Sequence, residues 1–83
     1  MITVEALREF GFKVNETKWR TYCYFQLEVD FHVYVHFEHD KVVESGIAAE
    51  LVADELHEEK CLDIEFDSME QLKQFINLIM NVK

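Results

Sequence analysis

Three tyrosines and two histidines recur at strand spacing in the middle of this chain: Tyr22, Tyr24, His32, Tyr34 and His36. In an extended chain, successive side chains point to opposite faces, so residues two apart share one. The five therefore collect on one surface, where phenols and imidazoles could bind a partner, ligate a metal or move a proton. Metal ligation is the easiest to discount. His32 and His36 lie four strand residues apart, roughly 13 Å, too far to chelate one ion. His57 and Cys61 have a tolerable spacing but are only two soft ligands, and carboxylates would have to complete the set. No metal and no other cofactor is expected.

Catalysis finds little support either. The chain has two serines, Ser45 and Ser68, and no Gly-rich phosphate loop, GxSxG elbow or HExxH. Cys23 falls on the apolar side of its segment, where a thiol is inert, and Cys61 stands among carboxylates that raise its pKa. The expectation is a protein that is not an enzyme, with no catalytic residue to name. The surface of Tyr22, Tyr24, His32, Tyr34 and His36 then reads as an interface, since clustered exposed aromatics mark contact surfaces. Cross-strand packing of tyrosines is one competing explanation, and residues 45–58 folding over this face as a helix is another.

Charge narrows the choice of partner. The net charge is −9, from 17 acidic and 8 basic residues. Between Glu50 and Glu70 stand nine carboxylates opposed by Lys60 alone. A backbone of phosphates or an anionic membrane needs a basic surface, so direct binding to nucleic acid or membrane is disfavoured. A basic protein partner is permitted, with electrostatic steering of association. Asp63 and Glu65, with Asp67, would project from a strand at intervals of about 6–7 Å, close to the spacing of successive phosphates. Any acidic strand gives that spacing, and solubility explains it as well.

The elements that must position these residues are set by periodicity. Thr3 caps a helix of about two turns through Val4, Leu7 and Phe10, stopped by Gly11, with Phe12 folding back on Leu7. Alternation then begins. Phe12 and Val14, a polar turn Asn15-Glu16-Thr17-Lys18, and Trp19 and Thr21 suggest a hairpin pairing Val14 with Trp19. Next, Cys23, Phe25 and Leu27 alternate with Tyr22, Tyr24 and Gln26. Phe31, Val33, Val35 and Phe37 alternate with His32, Tyr34, His36 and Glu38. Paired residues share a face, so a three-residue loop Glu28-Val29-Asp30, with Asp30 in the left-handed region, pairs Leu27 with Phe31, Phe25 with Val33 and Cys23 with Val35. The outer face then sets Tyr24 beside Tyr34, Tyr22 beside His36 and Gln26 beside His32.

His39-Asp40 is the next turn. From Lys41 to Lys60 two patterns compete. Val43, Ser45, Ile47, Ala49, Leu51 and Ala53 alternate as a strand, while residues 48–56 have strong helix propensity. The pattern favours a fourth strand ending near Ala53, then an acidic loop. Leu62, Ile64 and Phe66, alternating with Cys61, Asp63 and Glu65, make a last strand. Ser68 with Gln71 opens a final helix whose apolar stripe is Met69, Leu72, Phe75, Ile76, Ile79 and Met80.

These elements assemble into one α+β domain over residues 1–83. The expected core is an antiparallel meander of four to five strands, one face covered by the C-terminal helix and a short N-terminal helix at an edge. With no basic leader and no long apolar run, the expected location is the cytoplasm.

The junction Phe66-Asp67-Ser68-Met69-Glu70-Gln71-Leu72, closing a strand and opening a helix, resembles one in small phage-encoded proteins, among them a small anti-CRISPR family. The resemblance implies an inhibitor that acts by covering a partner's surface. It carries over no functional residue, because such inhibitors share no common site. The alternative is a self-associating structural or accessory domain that buries its Tyr/His face in a symmetric dimer.

Overall fold

The computed structural model describes residues 2–28, 31–53 and 56–81. A short helix α1 (Val4–Phe10) is followed by strands β1 (Lys13–Glu16), β2 (Thr21–Glu28), β3 (Phe31–Glu38), β4 (Lys41–Ala53) and β5 (Leu56–Asp63), then helix α2 (Met69–Asn81). The strands form one antiparallel sheet in the order β1-β2-β3-β4-β5, a meander in which each strand pairs with its neighbours in sequence.

Both ends of α1 are closed as the sequence suggests. Thr3 Oγ1 accepts from the Ala6 N–H at 3.1 Å, satisfying one of the donors a helix start leaves free. At the other end Gly11 (φ 122°) lets its own N–H reach the Arg8 carbonyl and the Phe12 N–H reach the Leu7 carbonyl at 2.9 Å. Phe12 and Leu7 then meet in the core. Because an L side chain rarely adopts that backbone conformation, Gly11→Ala is expected to cost about 1–2 kcal/mol, read as a lower urea midpoint.

The first hairpin is offset from the expected one. Val14 pairs with Cys23, not with Trp19, and Trp19 sits in the turn, 75% exposed. Thr17 explains the difference. Its N–H donates to the Arg20 carbonyl, its hydroxyl donates to the same carbonyl at 2.7 Å, and the hydroxyl oxygen accepts the Arg20 N–H at 3.0 Å. A threonine that satisfies both groups of Arg20 closes the chain around Lys18-Trp19, and the alternation of Trp19 is incidental.

The central hairpin has the expected register over most of its length: Tyr22 opposite His36, Cys23 opposite Val35, Tyr24 opposite Tyr34, Phe25 opposite Val33 and Gln26 opposite His32. Its end differs. Glu28, not Leu27, stands opposite Phe31, and a bulge falls between Gln26 and Glu28. Leu27 still reaches the core at 9% exposure, because the bulge spends one residue and keeps the apolar side chains on one face. The left-handed conformation expected of Asp30 lies outside the described residues.

His39 (φ 50°) and Asp40 (φ 67°) are both left-handed, the requirement of a two-residue hairpin turn. That turn sets Phe37 opposite Val42. A second bulge, between His36 and Phe37, then places Glu44 opposite His36, Gly46 opposite Tyr34 and Ile47 opposite Val33.

Beyond Ala53 the fold departs from the expected acidic loop. Strand β5 begins at Leu56 and runs back along β4, with Ala53 opposite Leu56, Glu50 opposite Glu59 and Gly46 opposite Asp63. Extended pairing has overridden the local helix preference of residues 48–56. Asp54 and Glu55 lie outside the described residues. The last strand therefore starts earlier and stops at Asp63. Ile64 is still tied to Ser45, its N–H donating to the Ser45 carbonyl at 2.9 Å and its carbonyl accepting from Ser45 Oγ at 2.6 Å.

The core lies between the sheet and α2. Leu7, Cys23, Val33, Val35, Leu72 and Ile76 are fully enclosed, with Phe12, Phe37 and Phe66 beside them. Gln71 accepts the Asp67 N–H at 2.6 Å while its own N–H donates to Ser68 Oγ at 3.2 Å, so the cap spans one residue more than expected. Two expected core side chains lie outside it: Met80 is 48% exposed and Leu62 is 60% exposed. Leu62 is on the helix side of β5, the sheet's last strand, and α2 does not extend over it. The short dimension of the molecule, 19 Å, is that of one sheet and one helix layer. Among the described residues, the opposite face of the sheet has no layer upon it.

Candidate functional site

That uncovered face carries the five aromatic and imidazole residues singled out in the sequence. The structure brings them together as ring pairs. Tyr22 meets His36 edge-on with centroids 4.8 Å apart, Tyr34 lies against His36 at 5.0 Å, and Tyr24 meets His32 at 6.1 Å. Tyr22, Tyr24, His32 and His36 are half-buried by one another and remain open on one side.

Tyr34 is different. It is only 6% exposed, and its hydroxyl donates to Asp63 Oδ1 at 2.7 Å. Tyr34 is on β3 and Asp63 on β5, with Gly46 between them in the same cross-sheet row. Spanning two strand spacings, about 9–10 Å, requires the Tyr34 ring to lie across the strand between. Gly46 supplies the bare backbone over which it passes. Burial, the Asp63 hydrogen bond and the Asp63 charge together push the Tyr34 phenol well above its ordinary pKa. It stays a neutral donor, and its place in the face is that of a pinned wall.

Beside it lies a cavity of about 190 Å³ lined by His32, Tyr34, His36, Glu44, Glu59, Cys61 and Asp63. Three of these groups are carboxylates, delivered from two strands. The bulge opposite His36 supplies Glu44, whose Oε2 is 3.2 Å from His36 Nδ1. Strand β5 supplies Glu59 and Asp63, which share a face because they are four residues apart. Arg20 pairs with Glu44 at 3.6 Å and with Glu38 at 3.4 Å. Lys13 stands opposite Tyr24 at the β1 edge. By register the face gathers Glu38, Glu44, Glu59 and Asp63 with Arg20, Lys13 and, opposite Glu38, Lys41.

Of the other acidic residues, Glu65 follows the end of β5 and lines a second depression, of about 360 Å³, which it shares with Glu44 and Asp63. Asp67 belongs to the α2 cap. Strand β5 ends at Asp63, so Glu65 and Asp67 do not project from it. Sequence reasoning missed Glu44 and Glu59, because both reach the site only through pairings across β4. Among the described residues, no group of three or more His, Cys, Asp or Glu is arranged to hold a metal ion.

The two thiols are held in the protonated form for different reasons. Cys23 is fully enclosed, and burial, partly offset by Arg8, pushes it up to about 11. Cys61 is exposed. It is raised by the desolvation it retains and by Glu59, which accepts its S–H at 3.6 Å, with Asp63 and Glu44 adding in the same direction. At pH 8, iodoacetamide is therefore expected to label one thiol of the native protein, Cys61, more slowly than free cysteine. Cys23 should react only on unfolding, and Glu59→Gln should speed Cys61. Rapid labelling of both thiols would contradict the packing around Cys23.

Taken together, fold and face define a small sheet-and-helix domain that carries one packed face and one open aromatic and acidic face. Compared with family models, with curated proteins and with solved structures, the chain matches none of them. Among the described residues, no helix is long and apolar enough to cross a membrane.

Proposed function

We propose that this chain is a small, non-catalytic protein-binding module that works in the cytoplasm by covering a surface of a basic protein partner, in the manner of a phage-type inhibitor. The single observation that carries the reading is the uncovered sheet face. Tyr22, Tyr24, His32 and His36 are open there while the opposite face is packed under α2. Aromatic rings at the centre of a contact surface contribute most of the binding energy, because they exclude water over large areas at small entropic cost. The carboxylates around them favour a positively charged partner and repel nucleic acid.

The first test is light scattering behind a sizing column at two salt concentrations. A monomer of 9.9 kDa leaves the face free for a foreign partner. A dimer insensitive to salt, in which Tyr24 is shielded, would instead assign the face to self-association. A partner captured by the wild-type chain should be lost with Tyr24→Ala and His32→Ala together. It should be kept with Leu78→Ala, which alters the exposed side of α2. Equal loss in both variants would overturn the assignment to this face.

A further inference from the structure

We propose that the cavity beside Tyr34 receives the guanidinium of one arginine of the partner. The proposal rests on the protein-binding reading and names the anchor of that contact. At about 190 Å³, the cavity is smaller than the roughly 300–1,000 Å³ of sites that enclose a small molecule. It suits the head of a single long side chain. Its walls are of two kinds. His36 presents a half-buried ring, backed by Tyr34 with centroids 5.0 Å apart, against which a flat cation can stack. Glu44, Glu59 and Asp63 present carboxylates on the other side.

Charge complementarity selects a cation, and shape selects arginine over lysine. A guanidinium is planar, weakly hydrated and able to bond two carboxylates at once while a ring covers its face. The chain already shows the two-carboxylate part of this arrangement at Glu44, one of the cavity's walls. Arg20 reaches Glu38 with one terminal nitrogen and Glu44 with the other. Within the cavity, Glu59 and Asp63 have no arginine of this chain among the groups that line it. Their bonds run to Cys61 and Tyr34, both donors that hold the carboxylates in place. A partner's arginine completes on the β5 side what Arg20 does on the β3 side.

The test titrates N-acetyl-arginine amide into the isotopically labelled protein and follows the backbone amides by NMR. The largest shifts are expected at Gly46, Cys61 and Asp63. N-acetyl-lysine amide should bind several-fold more weakly. Glu44→Gln with Glu59→Gln should weaken arginine binding at least tenfold with an unchanged folded spectrum. Should that pair disturb the fold, Glu59→Gln alone keeps the comparison, because Glu59 is exposed at the sheet edge.

Shifts spread over the whole acidic surface, or unaltered by the glutamines, would overturn the anchor. Equal binding of the lysine amide would overturn the choice of arginine. Either failure, with partner capture still lost on Tyr24→Ala and His32→Ala, would remove the anchor and leave the protein-binding reading standing.

Discussion

Gly46→Ala is expected to destabilise the protein by about 3 kcal/mol or more. A Cβ at position 46 would stand 2.1 Å from the Leu62 carbonyl oxygen and 3.0 Å from both Asp63 Cα and Ile64 N. These are backbone atoms of the neighbouring strand and its continuation, so no rotamer change makes room. Either β5 moves away from β4 or β4 buckles. Because Asp63 moves with β5, the 2.7 Å hydrogen bond from Tyr34 should be lost with the pairing. Urea denaturation followed by circular dichroism reads the first effect. Loss of protection of the β5 amides from hydrogen exchange reads the second. A cost below about 1 kcal/mol would mean that β4 and β5 do not approach as described.

The same glycine shows how much of the site is legible in the sequence. Alternation in residues 22–38 is enough to place Tyr22, Tyr24, His32, Tyr34 and His36 on one face and to pair them correctly, because a one-residue slip would expose Phe25, Val33 and Val35. The partners of those residues on β4 and β5 are out of its reach. With residues 45–58 balanced between helix and strand, periodicity alone cannot bring Gly46 beneath Tyr34, nor Glu44, Glu59 and Asp63 around a cavity.

A signal is nevertheless present. A two-residue turn at His39-Asp40 sets Val42 opposite Phe37, and continuing that register would put Val43 beside His36 and Ile47 on the wet face. The apolar pattern of β4 is one residue out of phase with the turn, and only a bulge resolves the conflict. The structure places it between His36 and Phe37. Trp19 illustrates the opposite case. Its apolar surface fits an alternating pattern, while the hydroxyl of Thr17, two residues earlier, decides where the chain turns.

Leu72→Ala is expected to cost about 3 kcal/mol, within the range for removing an enclosed leucine and leaving a cavity behind. Leu72 and Ile76 are one helical turn apart and wholly inaccessible to solvent. With Met69, Phe75 and Ile79 they hold α2 to the core, and they are the most deeply enclosed of these side chains. A domain of this length has a total stability of only about 4–12 kcal/mol, so the variant surrenders a large share of it. Leu78, 66% exposed on the same helix, supplies the comparison. Leu78→Ala should stay within about 0.5 kcal/mol of wild type.

The pair also separates stability from recognition. The Tyr/His face looks away from α2, and none of the groups around its cavity comes from the helix. Leu72→Ala should therefore lower the fraction of molecules able to bind a partner without changing the affinity of those that remain folded. Titration calorimetry reads this as full stoichiometry with an apparent Kd raised only by the factor that the separately measured folded fraction requires. A Kd weakened beyond that factor would place α2 in the contact and shift the binding surface away from the open face of the sheet.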